Sequence, residues 1–188
     1  AEWSAEVPDD RAEHGTVDIA ITTMNRPDFC ANLLAQVGGD DHLRGYLDTV
    51  MVMEQGTQKV ADSEHFGAAR EALGDTLRIL EQGNLGGSGG YARGQLESVR
   101  KGTATYALML DDDVVCEPES IVRAITFGDL ARRPTIVGGH MFSLYSRARL
   151  HSFGEQVQPW TFWWGSAPGV ATDWDFSSRN LRSKIGRA

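Results

Sequence analysis

Four short apolar runs separated by helical stretches limit what this 188-residue chain can fold into. Val17-Asp18-Ile19-Ala20-Ile21-Thr22-Thr23, Val50-Met51-Val52-Met53, Leu77-Arg78-Ile79-Leu80 and Tyr106-Ala107-Leu108-Met109-Leu110 read as strands. Branched and apolar residues in runs this short suit a buried pleated surface. After the first run, Pro27 is placed to open a helix carrying Phe29, Leu33, Leu34 and Val37 on one face, with Gly38-Gly39 as its stop. A second helix spans about Glu64 to Leu73 and stops at Gly74; a third runs out of a glycine-rich stretch to about Lys101. Glu117-Pro118-Glu119 opens a fourth, to about Arg132, and Ile136-Val137-Gly138-Gly139 begins a further strand. Strands alternating with helices predict an α/β fold, a mostly parallel sheet with helices on both faces.

Such sheets bind ligands outside the carboxyl ends of their strands. Four segments fall there: Thr22 to Arg26, Glu54 to Thr57, Gln82 to Gly90, and Asp111-Asp112-Asp113. The last is the most expensive. Three adjacent carboxylates raise one another's pKa and lose solvation if the site closes. A hard divalent cation held by oxygen ligands would relieve that; a solvated acidic turn is the plainer alternative.

The segment Gly83-Asn84-Leu85-Gly86-Gly87-Ser88-Gly89-Gly90 lacks side chains that would block close backbone approach. Its amides and the helix that follows can face a phosphate, or the segment is simply a flexible loop. It is neither a P-loop nor a dinucleotide fingerprint, for it lacks GxxxxGK[ST] and follows the third strand. Arg26 sits at a helix entry, where its forked donors suit a phosphate or a base edge, or else a surface ion pair. Arg93, a turn into the next helix, faces an anionic ligand or solvent. His140 or His151 could complete a metal site, though a lone histidine is more often structural. Trp160, Trp163, Trp164 and Trp174 suit stacking on sugar rings, core packing or a partner-facing patch.

The formal charge of −8 argues against non-specific nucleic-acid binding. No apolar run approaches the ~18 residues of a membrane span. Ala1 to Gly15 is polar and acidic, unlike a signal peptide, and the lack of an initiator Met suggests an excised segment. Cys30 and Cys116 form no CxxC pair, and read as buried free thiols in a reducing compartment. The tail from Ser177 to Ala188 is polar and basic, with Arg179, Arg182, Lys184 and Arg187.

Thr22-Thr23-Met24-Asn25-Arg26-Pro27, the segment Gln82-Gly83-Asn84-Leu85-Gly86-Gly87-Ser88-Gly89-Gly90, and Asp111-Asp112-Asp113, in this order, resemble inverting GT-A-type glycosyltransferases of family 2. Within that family the likeness is greatest to the bacterial galactofuranosyltransferases of cell-wall galactan. Asp40-Asp41, Glu54-Gln55-Gly56-Thr57, Glu117-Pro118-Glu119-Ser120 and Val137-Gly138-Gly139 also look like that subgroup, and the likeness covers about Val17 to Glu155. It implies a GT-A, Rossmann-like donor domain over residues 16–155, after an extension over 1–15 and before a Trp-rich segment and tail over 156–188 that begins the acceptor side.

The resemblance also implies roles. Asp111 and Asp113 would hold Mn²⁺ or Mg²⁺ against the diphosphate of a UDP-sugar, with Asp112 nearer the donor sugar. Thr23, Arg26 and Glu54 would line the uridine pocket, and Asn84, Gly86 and Gly87 would border the nucleotide or donor. Glu54 departs from the Asp more usual in the subgroup, which lengthens its reach by one methylene. The implied partners are UDP-galactofuranose and a polysaccharide or lipid-linked glycan acceptor. A cytoplasmic location, at the inner face of the plasma membrane, is implied for the full-length protein, with peripheral membrane association and a homo-oligomer as further expectations.

The family's general base lies on an acidic motif well beyond the metal triplet. Asp173 and Asp175 have the right chemistry but come early. This chain is therefore expected to be the N-terminal, nucleotide-binding half of a longer enzyme, inactive alone. The rival readings are a non-catalytic binding module and a metal-dependent nucleotidyltransferase. The latter would need a Gly-rich, basic first loop, which Thr23-Met24-Asn25-Arg26-Pro27 is not.

Overall fold

The computed structural model describes residues 7, 9, 13–152, 154–168 and 173–178. Most of the 1–15 extension, and Arg179, Arg182, Lys184 and Arg187 of the basic tail, lie outside them. The chain divides into two compact units, residues 1–135 and 136–188.

In the first unit the strands β1 (Val17–Thr23), β2 (Leu47–Glu54), β3 (Leu77–Glu81) and β4 (Tyr106–Asp111) form a sheet of order β3-β2-β1-β4. Every pairing is parallel. The alternation of a pleated strand splits β1 cleanly. Val17, Ile19 and Ile21 join one buried cluster, with α1 (Pro27–Gly39), α2 (Asp41–Arg44), α3 (Phe66–Leu73) and α5 (Pro118–Leu130). Ala20 faces the other way, in a smaller cluster with Met51 and Met53. There α4 (Gly86–Lys101) covers the sheet. Helices thus lie on both faces, as the alternation predicts. Ile19, Ile21, Val50 and Val52 are fully buried, each stabilising the fold by about 1.5–3 kcal/mol.

Three local expectations need correcting. The buried stripe of α1 starts at Cys30, not Phe29: Cys30, Leu33, Leu34 and Val37 follow the i, i+3, i+4, i+7 spacing, while Phe29 is 55% exposed. The glycine-rich stretch is not all loop, since α4 begins at Gly86. A Cβ at Gly90 would stand 2.3 Å from Thr22 Cγ2, and one at Gly94 would stand 2.4 Å from Ala20 Cβ. These two glycines, one turn apart, let the helix lie directly on β1. Finally, Ile136 to Gly139 is irregular, and the strand there, β5, is Met141–Phe142.

At the amino end of the sheet Asp18 is fully buried. Ser98 Oγ donates to it at 2.7 Å, and Lys101 Nζ pairs with it and, at 2.7 Å, with Asp48. The end of α4 is thereby fastened across β1 and β2. Both cysteines are free, Cys30 buried and Cys116 half-buried. Burial pushes the Cys30 thiol up to about 12.

The second unit holds a three-stranded antiparallel sheet, β5-β6-β9, with β6 at Arg149–Ser152 and β9 at Trp174–Asp175. It also holds a hairpin of β7 (Glu155–Gln158) and β8 (Trp163–Ser166). The hairpin exposes Trp160, Phe162, Trp163 and Trp164, and the rings of Trp163 and Trp164 lie 6.2 Å apart and nearly parallel. Among the described residues no helix is long and apolar enough to cross a membrane.

Candidate functional site

β1 is central, flanked by β2 on one side and β4 on the other. The chain leaves β1 toward β2 and later returns to its opposite edge, so the crevice outside the carboxyl ends of β1 and β4 is the switch point of the sheet, where open α/β folds bind ligands. A cleft of about 310 Å³ opens there, lined by Thr22, Thr23, Met24, Arg26, Gln55, Asn84, Gly86, Gly87, Tyr91, Asp111 and Asp112.

The three carboxylates splay apart, each toward a different partner. Asp112 turns inward, 7% exposed, and Thr23 Oγ1 donates to its Oδ2 at 2.7 Å. Tyr91, on α4, donates its hydroxyl to Asp111 Oδ1. Arg26 pairs with Asp113. Burial pushes the Asp112 carboxyl above its ordinary value; Asp113 and Asp111 push the same way, while the Thr23 hydroxyl and the Arg26 guanidinium pull it back. Burial and the Asp111 bond also raise the Tyr91 phenol. It therefore stays protonated at neutral pH, a donor toward the acidic triplet.

The cleft gathers Thr23, Arg26, Asn84, Gly86, Gly87, Asp111 and Asp112 from three separate stretches of sequence. Asp113 stands at the edge, through Arg26. Glu54 is not in the lining. It is 3% exposed; its Oε1 accepts from the Val60 amide at 2.7 Å and its Oε2 pairs with Lys59 at 3.1 Å. The longer side chain reaches back to its own loop. Arg93 also points elsewhere, pairing with Glu97 at 2.8 Å. His140 and His151 belong to the second unit, as do Asp173 and Asp175. Asp173 pairs with Arg149 at 3.4 Å, and Asp175 Oδ1 accepts from the Ser177 amide and hydroxyl.

Thr22, Met24, Gln55 and Tyr91 also line the cleft, and sequence reasoning gives none of them an individual role. Gln55 is nearly buried: its Oε1 accepts from the Leu85 amide at 2.8 Å and from Gln82 Nε2 at 3.1 Å, and its Nε2 donates to the Gly86 carbonyl at 3.1 Å. Its place beside Glu54 at a strand end was the available signal. Tyr91 follows the glycines directly, but nothing in the sequence aims it at Asp111. The Leu85 amide is thus held by Gln55, and the Gly86 amide by Asn84 Oδ1 at 3.0 Å. These two amides are thus taken up within the protein, one by Gln55 and one by the loop's own Asn84.

Among the described residues no group of three His, Cys, Asp or Glu side chains is arranged to hold a metal ion. Asp111 and Asp113 supply hard oxygens, and each gives one to a protein partner. That donor set fits Mg²⁺ or Mn²⁺ shared with phosphate oxygens, the usual manner for cations held by one or two carboxylates, and not an all-protein cage.

A family model described as "Glycosyltransferase like family 2" matches residues 14–183. Galactofuranosyltransferase GlfT2 of Mycolicibacterium smegmatis (strain ATCC 700084 / mc(2)155) is 39% identical over 181 residues, 96% of this chain and 28% of the relative. GlfT2 of Mycobacterium tuberculosis (strain ATCC 25618 / H37Rv) is 39% identical over 178 residues, 91% of this chain and 28% of the relative. The chain therefore spans little more than a quarter of these relatives' length. Among solved structures, the mannosyltransferase PcManGT from Pyrobaculum calidifontis in complex with GDP-Man and Mn²⁺ matches with a TM-score of 0.46 at 17% identity, over 72% of this chain and 37% of that one.

Proposed function

The chain belongs to the glycosyltransferase-like family 2, and from that premise we propose that it is the donor-binding, GT-A-type domain of an inverting galactofuranosyltransferase. The donor is UDP-galactofuranose and the acceptor a growing cell-wall galactan, free or lipid-linked. Residues 16–155 form the donor domain and 156–188 begin the acceptor side. The whole protein would work at the inner face of the membrane, associated peripherally and as a homo-oligomer.

The observation that best supports this reading is the cleft at the switch point, where an acidic triplet, an arginine and a glycine-rich helix entry converge. Arg26 offers a planar fork to phosphate oxygens. Thr23 and Asp112 are already locked to each other, so the donor-side wall is set before any ligand arrives. Asn84, Gly86 and Gly87 border the nucleotide with little side-chain bulk. Glu54 acts on the uridine end from behind, through the loop it holds. Asp111 and Asp113 would hold Mn²⁺ or Mg²⁺, which when bound neutralises charge on the departing diphosphate.

The acceptor hydroxyl must lose a proton to a general base. Asp173 and Asp175 are the weak candidates in this chain, each with local partners, and the base is expected on the rest of the longer enzyme. The chain is therefore expected to bind donor without transferring it. Calorimetric titration with UDP, ADP and GDP in the presence of Mn²⁺ tests the reading. Selective binding of UDP is expected; equal affinity for all three would remove the uridine pocket, and no binding of any would remove the donor site.

A further inference from the structure

We infer that Asn25 is a positioning residue that couples the three loops of the cleft, so that Arg26, Gln55 and the entry of α4 are ordered together; the ligand in question rests on the donor reading above. Asn25 lies at φ 55°, in the left-handed region that most side chains avoid and that asparagine enters more readily than other non-glycine residues. It immediately precedes Arg26. Its Oδ1 accepts from two consecutive amides of the loop after β2, Thr57 N at 2.8 Å and Gln58 N at 3.0 Å. That loop comes so close that a Cβ on Gly56 would stand 2.3 Å from Asn25 Oδ1 and 2.6 Å from its amide nitrogen.

The same loop is tied on both sides of this contact. Before it, the Gln55 amide donates to the Thr23 carbonyl at 3.0 Å. After it, the Val60 amide donates to Glu54 at 2.7 Å. From Gln55 the connection runs on to the Leu85 amide and Gly86 carbonyl at the start of α4. Hydrogen bonds on the two sides of Gly56, from Asn25 to Thr57 and Gln58 and from Gln55 to Leu85 and Gly86, thus join the turn after β1, the loop after β2 and the loop after β3 through the short backbone between Gln55 and Thr57.

Asn25 is exposed, and bonds open to water add little to stability. A left-handed non-glycine residue fitted against a glycine, on an exposed rim, is an outlier of the kind that accumulates at ligand sites. Burying core surface gives no reason for it. Ordering a rim before a ligand arrives does, because binding then loses less conformational freedom.

Two substitutions separate the parts of this role. Asn25→Gly keeps the backbone conformation and removes the acceptor; Asn25→Asp keeps an acceptor. Two readouts are taken on this chain: UDP affinity with Mn²⁺ present, and amide hydrogen exchange at Thr57, Gln58 and Leu85. Asn25→Gly should weaken UDP binding by about tenfold, within the range of coupling through connected networks. It should also speed exchange at Thr57 and Gln58 and, at a distance, at Leu85, while the unfolding midpoint changes little. Asn25→Asp should restore both readouts toward wild type. Unchanged exchange at Leu85, or unchanged UDP affinity in Asn25→Gly, would overturn the inference. Failure of wild type to bind UDP would instead sink the donor reading, and exchange at Leu85 would still decide whether the loops are coupled.

Discussion

Arg26 and Asp113 have side chains 52% and 43% exposed, so solvent screens their ion pair and it adds little to folding. Arg26 also lines the cleft. Arg26→Ala should therefore weaken UDP affinity by roughly 10- to 100-fold, the worth of one or two charge-assisted hydrogen bonds, and shift the unfolding midpoint hardly at all. Equal losses in both would mark Arg26 as structural. At this scale the sequence was readable where chemistry demanded a residue type. Arg26 and the acidic triplet stand out because charge at strand ends needs a reason, while Asn84 is marked out only by the family resemblance. Gln55 and Tyr91 did not, since their roles depend on which loop lies across from them. The family resemblance implies Glu54 in the lining; its extra methylene instead lets it fold back onto the Val60 amide, a contact that depends on how its own loop turns.

Element α4 carries both signals that the glycine-rich stretch mixed together. Gly86 and Gly87 belong to the cleft, whereas Gly90 and Gly94 exist for packing against β1. Glycines at i and i+4 within a helix look like a loop by composition; their purpose becomes visible only when β1 lies beneath them. Gly94→Ala should destabilise by about 1–2 kcal/mol, the overpacking penalty less the gain in helix propensity. Gly67→Ala, in α3, meets nothing within 4 Å and should instead stabilise by about 0.5–1 kcal/mol. Denaturant unfolding of both variants checks that the signs differ. The far end of α4 gives a pH-dependent counterpart. Burial raises the Asp48 pKa, but the Lys101 hydrogen bond, with help from Thr103 and Thr49, brings it below the ordinary value. A depressed carboxylate contributes stability above its unfolded pKa and loses it as pH falls through the folded one. Asp48→Asn should therefore flatten the fall in melting temperature below about pH 4, and a slope unchanged from wild type would show that the Lys101 clamp does not titrate.

The whole-molecule plan of the first unit followed from strand order alone. Alternating apolar runs and helices dictate a parallel sheet, and a parallel sheet dictates which rim can bind. The stretch beyond residue 135 was far less legible: its strands are short and antiparallel, two to four residues each, too brief for periodicity to register, and the expected strand at Ile136 to Gly139 is absent. The exposed tryptophans of the β7–β8 hairpin likewise reveal no occupant. The reading proposed above has the β1/β4 switch point hold a nucleotide-sugar through the acidic triplet. Its most direct test is calorimetric titration of this chain with UDP, with and without Mn²⁺, in wild type and Asp113→Ala. Mn²⁺ should strengthen UDP binding in wild type, and Asp113→Ala, still folded, should lose that strengthening. UDP binding with undiminished metal dependence in Asp113→Ala would contradict the reading and place the nucleotide elsewhere.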